Sequence, residues 1–137
     1  DDVASGRVHV LQDKPIPDYV AVFRIHGPFL FGTTDKLTDL IARVPGMAPV
    51  VVLRLRNMTA IDGTGVRAIE EFADALHATG RHLIVCGARE QPRRMLQRAG
   101  VGEHIGPENL CEHIDQALAR ARQLYASGAV VGRPLAS

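Results

Sequence analysis

Apolar and polar residues alternate from Tyr19 to His26. Tyr19, Ala21, Phe23 and Ile25 fall on one face, and Val20, Val22, Arg24 and His26 on the other. A period of two predicts a strand with one face more apolar than the other, stopped by Gly27-Pro28. A further edge strand is expected around Val8 to Leu11, within an N-terminal extension of residues 1–14. Phe29, Leu30 and Phe31 lead to Thr33 or Thr34 as a helix cap. Leu37, Leu40, Ile41 and Val44 then recur at helical spacing until Pro45-Gly46. Pro49 to Arg56 is nearly continuous in branched aliphatics at its start, the pattern of a central strand covered on both faces.

Asn57 to Asp62 reads as a polar loop. The helix that follows carries Val66, Ile69, Phe72, Ala73 and Leu76 on one stripe and ends at Gly80. Arg81 to Gly87 predicts a third strand, and Pro92 opens a short helix through Ala99, stopped by Gly100. An extended piece is expected at Glu103 to Ile105. Asn109 with Glu112 three residues later resembles a capping box. It would open a last helix whose apolar stripe is Leu110, Ile114, Ala117, Leu118, Ala121 and Leu124. After Tyr125 the residues are small and patternless, which predicts a flexible tail over 126–137.

Strands alternating with helices require crossover connections. The expectation is an α/β domain over 15–125, with a mainly parallel sheet of four to five strands and about four helices. A length of 137 residues fits one domain, and 46% apolar with 23% charged residues fits a globular chain. A net charge of +1 gives no bulk attraction to nucleic acid, and the absence of Trp removes the usual stacking platforms. No nucleic-acid partner is expected.

No apolar run approaches the ~20 residues needed to cross a bilayer; Val50 to Leu53 is cut off by Arg54 and Arg56. No signal peptide is evident. The chain opens Asp1-Asp2 rather than with Met, and is therefore read as a piece of something longer.

Candidate chemistry is thin. Cys86 and Cys111 form neither CxxC nor a metal spacing and read as two ordinary thiols of a reducing compartment. The six histidines form no HExxH, and no Ser sits in a GxSxG elbow. No catalytic residue, metal ligand or cofactor is assigned. Asp62-Gly63-Thr64-Gly65 is the sharpest element, since a loop ending at a helix start gathers unpaired N–H groups and the positive end of the helix dipole. It suits a cap, a phosphoryl group or a bound anion; in the plainer reading Asp62 or Thr64 caps the helix and the glycines permit a tight turn.

Gly63 to Ala68 also matches the dinucleotide fingerprint G-x-G-x-x-A. A polar stretch separates it from the strand, however, and no acidic ribose ligand follows the next strand, so the match is set aside. Arg93, Arg94 and Arg98, with Arg89 just before them, are a basic cluster, either a solvated helix face or a contact for anionic headgroups or an acidic partner.

The strand, loop and helix over Val50 to Leu76 resemble the signature region of STAS domains, the fold shared by anti-sigma-factor antagonists and the cytosolic tails of SulP-type anion transporters. Phe23 to Gly32, with its Phe-rich turn, resembles the SulP segment entering the first helix. Val51 to Asp62 resembles the SulP central strand with its arginine-bearing end. Leu83 to Gly87, Gly100 to Gly102, Pro107 to Asn109 and Ala117 to Ala121 fit the later elements, so the likeness covers about Ile16 to Leu124.

Antagonists of the sporulation type carry Asp-Ser-Ser-Gly at this loop and are switched by phosphorylation of the first Ser. Gly63 holds that position here and has no hydroxyl; Thr64 aligns with the second Ser and is the candidate phosphoacceptor.

The resemblance implies a non-enzymatic regulatory domain at the cytoplasmic face of the inner membrane, part of a SulP-type sulfate (anion) transporter. Its implied partners are the membrane domain of the same transporter, a cytosolic regulatory protein, and a nucleotide or anion; a dimer is compatible with it. The alternatives are a stand-alone STAS regulator of the antagonist type and a module sensing a nucleotide or anion at Thr64-Gly65.

Overall fold

A computed structural model describes residues 7–10 and 16–128. In chain order its elements are β1 (Arg7–Val10), β2 (Val20–Phe29), α1 (Asp35–Ile41), β3 (Val50–Arg54), β4 (Met58–Ile61) and α2 (Gly63–Ala78). They continue with β5 (His82–Cys86), α3 (Glu90–Arg98), α4 (Val101–Ile105), β6 (Leu110–Cys111) and α5 (Ile114–Ala126). Turns of 3-10 helix lie at Val44–Gly46 and Pro107–Asn109.

The branched run of β3 sits at the middle of the sheet, with Val50 to Leu53 fully buried. β2 and β5 pair with it in parallel, so that Val22, Val52 and Ile84 align, as do Phe23, Leu53 and Val85. β6 extends the sheet in parallel beyond β5, and β1 closes the other side antiparallel to β2. The mainly parallel α/β sheet expected from the sequence is present, with five parallel strands and the antiparallel β1. Leu11 of the expected edge strand lies outside the described residues, as does the expected tail from residue 129 on.

Alternation divides the strand residues between two cores. Phe23, Ile25, Val51, Leu53, Leu83 and Val85 face α1 to α4, meeting Leu37, Ile69, Phe72, Leu76, Leu96 and Val101. Val20, Val22, Val50, Val52, Ile84 and Cys86 face α5, through Ile114, Ala117, Ala121 and Leu124. Tyr19, expected with Phe23, instead lies on the α5 side, its ring stacked on that of Tyr125 at 4.1 Å. The stripe on α2 is buried as its spacing requires, and the helix ends where Gly80 turns left-handed (φ 78) and Arg81 donates its N–H to the Leu76 carbonyl.

Four local expectations are corrected. β2 does not stop at Gly27-Pro28 but runs through a register shift there to Phe29. Part of the polar loop is a strand: β4 pairs in parallel with the end of β2, because Met58 and Ile61 have a core to enter. Glu103 to Ile105 belongs to a helix, since Val101 and Ile105 lie one turn apart and both are buried.

The last helix begins at Ile114, not Asn109. Leu110 and Cys111 form β6, and the side chain of Gln116, rather than Glu112, accepts the N–H groups of Glu112 and His113. Asn109 is a buried brace. Its Nδ2 donates to the Ile105 carbonyl at 2.8 Å, and its Oδ1 accepts Nε of Arg120 at 2.7 Å, joining α4 to α5. Replacing it by Leu leaves both partners without it. Asn109→Leu is expected to lower stability by about 1–3 kcal/mol in urea unfolding, beyond what an exposed change such as Glu108→Gln costs.

Candidate functional site

The parallel pairing of β2 with β4 places Phe29 opposite Ile61, so the two chains leave the sheet side by side. Asp62, the next residue, adopts extended backbone and caps α2. One carboxylate oxygen accepts the N–H of Gly65 at 3.0 Å, and the other accepts the N–H of Phe31 at 3.1 Å. A single side chain therefore satisfies a helix-end donor and ties down a segment 31 residues earlier in the chain. Thr33 braces the same segment, its hydroxyl accepting the Leu30 N–H and donating to the Leu30 carbonyl, both at 2.8 Å. That is a turn within the Phe-rich segment rather than a helix cap; Thr34 precedes α1 with no side-chain capping bond.

The two glycines of the loop have different duties. A Cβ on Gly65 would collide with the Phe29 carbonyl oxygen and stand 2.7 Å from Cγ1 of Ile61. Gly63 has nothing within 4 Å of such a position and is exposed, as is Thr64. Beside them Phe31 is 82% exposed, the one large apolar side chain so placed among the described residues. The far edge of β4 is held by Gln91 of α3, which accepts the Ile61 N–H at 2.9 Å and donates to the Ile61 carbonyl at 3.0 Å. Gln91 and Phe31 were absent from the sequence-based candidates. The Gln91 bonds pair residues 30 apart, and nothing local marks them.

Arg93, Arg94 and Arg98 all lie exposed on α3. Arg93 shares a cleft with Arg89, whereas Arg94 and Arg98 do not line it. Burial pushes the Cys86 thiol up to about 12 and raises that of Cys111. Among the described residues no three His, Cys, Asp or Glu side chains come together as a metal-ligand set, and no helix is long and apolar enough to cross a membrane.

Residues 12–117 match the model of the STAS domain family. A sulfate transporter family protein from Wolinella succinogenes is 34% identical in sequence, with a TM-score of 0.75; the alignment covers 82% of this chain and 93% of that one. The STAS domain of a SulP transporter from Vibrio cholerae superposes with a TM-score of 0.72 at 22% identity, covering 82% of this chain and 88% of that one. The same fold occurs in an anti-sigma factor antagonist from Mycobacterium paratuberculosis, at 20% identity and a TM-score of 0.69, over 87% and 97% of the two chains. A curated Bacillus subtilis (strain 168) protein described as a sulfate transporter, YvdB, is 22% identical over 118 residues. That alignment takes in 82% of this chain but 22% of YvdB, so this chain spans about a fifth of its length.

Gly65→Ala is expected to cost about 1–3 kcal/mol, because strand and helix must move apart, whereas Gly63→Ala leaves stability unchanged or raises it by up to about 1 kcal/mol. Denaturant midpoints of the two variants check this contrast. The N–H groups of Gly65, then Phe31, hold the Asp62 carboxyl below its ordinary 3.8. The cap's contribution is then complete above that value and is lost as pH falls through the lowered one. The stability advantage over Asp62→Ala should accordingly hold from neutral pH down to about pH 4 and shrink below it, measured by urea unfolding across that range.

Proposed function

This chain belongs to the STAS domain family, alongside the domains of sulfate transporters, and from that premise we propose that it is the cytosolic, non-catalytic regulatory domain of a SulP-type sulfate (anion) transporter. In this reading the exposed surface made by Phe31, Gly63 and Thr64 contacts the membrane domain of the same transporter or a cytosolic regulator. Asp62 and Gly65 hold that surface in shape.

One observation carries the proposal: Asp62 ties the Phe31 backbone to the start of α2, so a largely exposed aromatic stands on a backbone held in place. A backbone already held in place has less freedom left to lose when a partner covers the side chain it carries, which favours binding. The non-catalytic reading is supported by the state of the thiols, which burial keeps protonated at neutral pH. The antagonist reading fares worse, because Gly63 removes the hydroxyl that such a switch uses. Thr64, exposed at the helix start, is the remaining phosphoacceptor in this proposal; a phosphoryl group there would add about two negative charges to the contact surface.

The test uses the complete reading frame, which should encode about ten or more apolar segments of spanning length ahead of residue 1. Phe31→Asp in that protein, reconstituted in vesicles, should change sulfate uptake several-fold, while Arg43→Gln does not. Circular dichroism of the 137-residue chain should be the same for both variants. Uptake indifferent to Phe31→Asp, or a reading frame without membrane segments, would remove the proposal.

A further inference from the structure

Four of the ten residues from Arg89 to Arg98 are arginines and one, Glu90, is acidic, in a chain whose net charge is only +1. Positive charge is therefore concentrated on α3 and its approach. Helical spacing sorts the segment into two sides. Pro92 and Leu96 are buried and Gln91 and Met95 half-buried, whereas Arg93, Arg94, Gln97 and Arg98 stand exposed. Glu90 is the first residue of the helix and lines, with Arg54, Arg56, Arg89 and Arg93, a cleft that reaches to the start of α5. At the other end Glu103 of α4 lies against Gly100. Among the described residues neither acid, nor any other, forms an ion pair with an arginine of α3.

The helix that carries these charges is held from beneath. Gln91 makes two hydrogen bonds to Ile61 of β4, and Leu96 is fully buried in the core. Ile61 is followed by Asp62, which holds the Phe31 backbone. The arginine face and the Phe31 surface are thus parts of one frame, and neither has to be ordered when it is covered.

What this face can bind follows from what it lacks. A stable protein interface has an apolar core inside a polar rim, and the outer side of α3 exposes no large apolar side chain. A small soluble anion is held by a concavity that encloses it, whereas Arg94 and Arg98 stand outside the cleft beside them, on the convex side of a helix. An anionic lipid surface requires neither an apolar core nor a pocket. Its phosphates are dense, lie at one level and move laterally to meet each guanidinium.

We propose that the outer face of α3, through Arg93, Arg94 and Arg98, docks on the anionic phospholipid headgroups of a membrane surface. The guanidinium forks take phosphate oxygens in pairs, which arginine does better than lysine. Gln97, between the arginines on the same face, adds neutral hydrogen bonding at that level. Clusters of about four basic side chains on an amphipathic helix suffice for attraction of this kind, which fades within a Debye length. The setting rests on the transporter reading above, which supplies a bilayer beside the domain; the contact itself belongs to this chain and is measured on it.

The experiment is co-sedimentation of the 137-residue chain with phosphatidylcholine vesicles that contain or lack phosphatidylglycerol. Binding to the anionic vesicles that weakens as salt is raised is expected, with none to the neutral ones. Arg94→Gln with Arg98→Gln should weaken it about tenfold or more at an unchanged melting temperature. The charge-matched pair Arg43→Gln with Arg122→Gln, exposed beyond α1 and on α5, should leave it intact. Millimolar inorganic phosphate should not release the chain.

No binding to anionic vesicles at low salt, equal sedimentation with neutral vesicles, or equal losses in both arginine pairs would overturn the proposal. Release by inorganic phosphate would do so too, by showing a site for a soluble anion. A poly-glutamate peptide bound through Arg94 and Arg98 in place of vesicles would assign the face to an acidic protein. Each of these outcomes leaves the uptake test of Phe31 untouched, so the two readings fall separately.

Discussion

At Gly65 the start of α2 lies against the ends of β2 and β4. Any side chain there would strike the carbonyl oxygen of Phe29 and the flank of Ile61, so the helix can start against the strand ends only because this residue has none. Close approach then lets the Asp62 carboxylate reach two chain segments at once, the Gly65 N–H in its own helix and the Phe31 N–H across the gap. The depressed Asp62 carboxyl follows from those two bonds. Gln91 completes the arrangement by giving the open edge of β4 the two hydrogen bonds that another strand would have supplied.

Among the described residues the sheet is covered unequally, by four helices on one face and by one, α5, on the other. This asymmetry has consequences at the carboxyl ends of the strands. The helices that follow β5 and β6 start on opposite sides of the sheet, and the arginine-lined cleft lies between their first turns. Two distinct surfaces therefore sit near one pole of the domain, a pinned aromatic beside the start of α2 and a charged cleft beside the starts of α3 and α5. α3 contributes to both, since Gln91 clamps β4 while Arg89 and Arg93 line the cleft.

Membership of the STAS family accounts for the fold and for the order of the elements. It does not by itself account for the residues at these surfaces. An anti-sigma factor antagonist shares the architecture at a TM-score of 0.69. Function in this fold is carried by a few side chains on a common frame. At position 63 a side chain would meet no obstacle.

The sequence by itself determined the elements whose signals are local. The alternation of β2, the aliphatic run of β3, the stripe on α2 and the Gly80 stop each follow from repeating positions a few residues apart, and together they gave the α/β class, the STAS likeness and Asp62–Gly65 as a helix start. Tertiary structure decided whatever depended on distant partners. Met58 to Ile61 became a strand because the end of β2 was there to pair with it. Asn109 became a brace rather than a cap because Arg120 and the Ile105 carbonyl converge on it. Arg54 and Arg89 came to share a cleft because parallel strands bring their carboxyl ends together, whatever the sequence distance between them. Hydrophobic periodicity is a property of one segment, whereas a hydrogen bond or a shared cavity belongs to two, and only the folded chain specifies both.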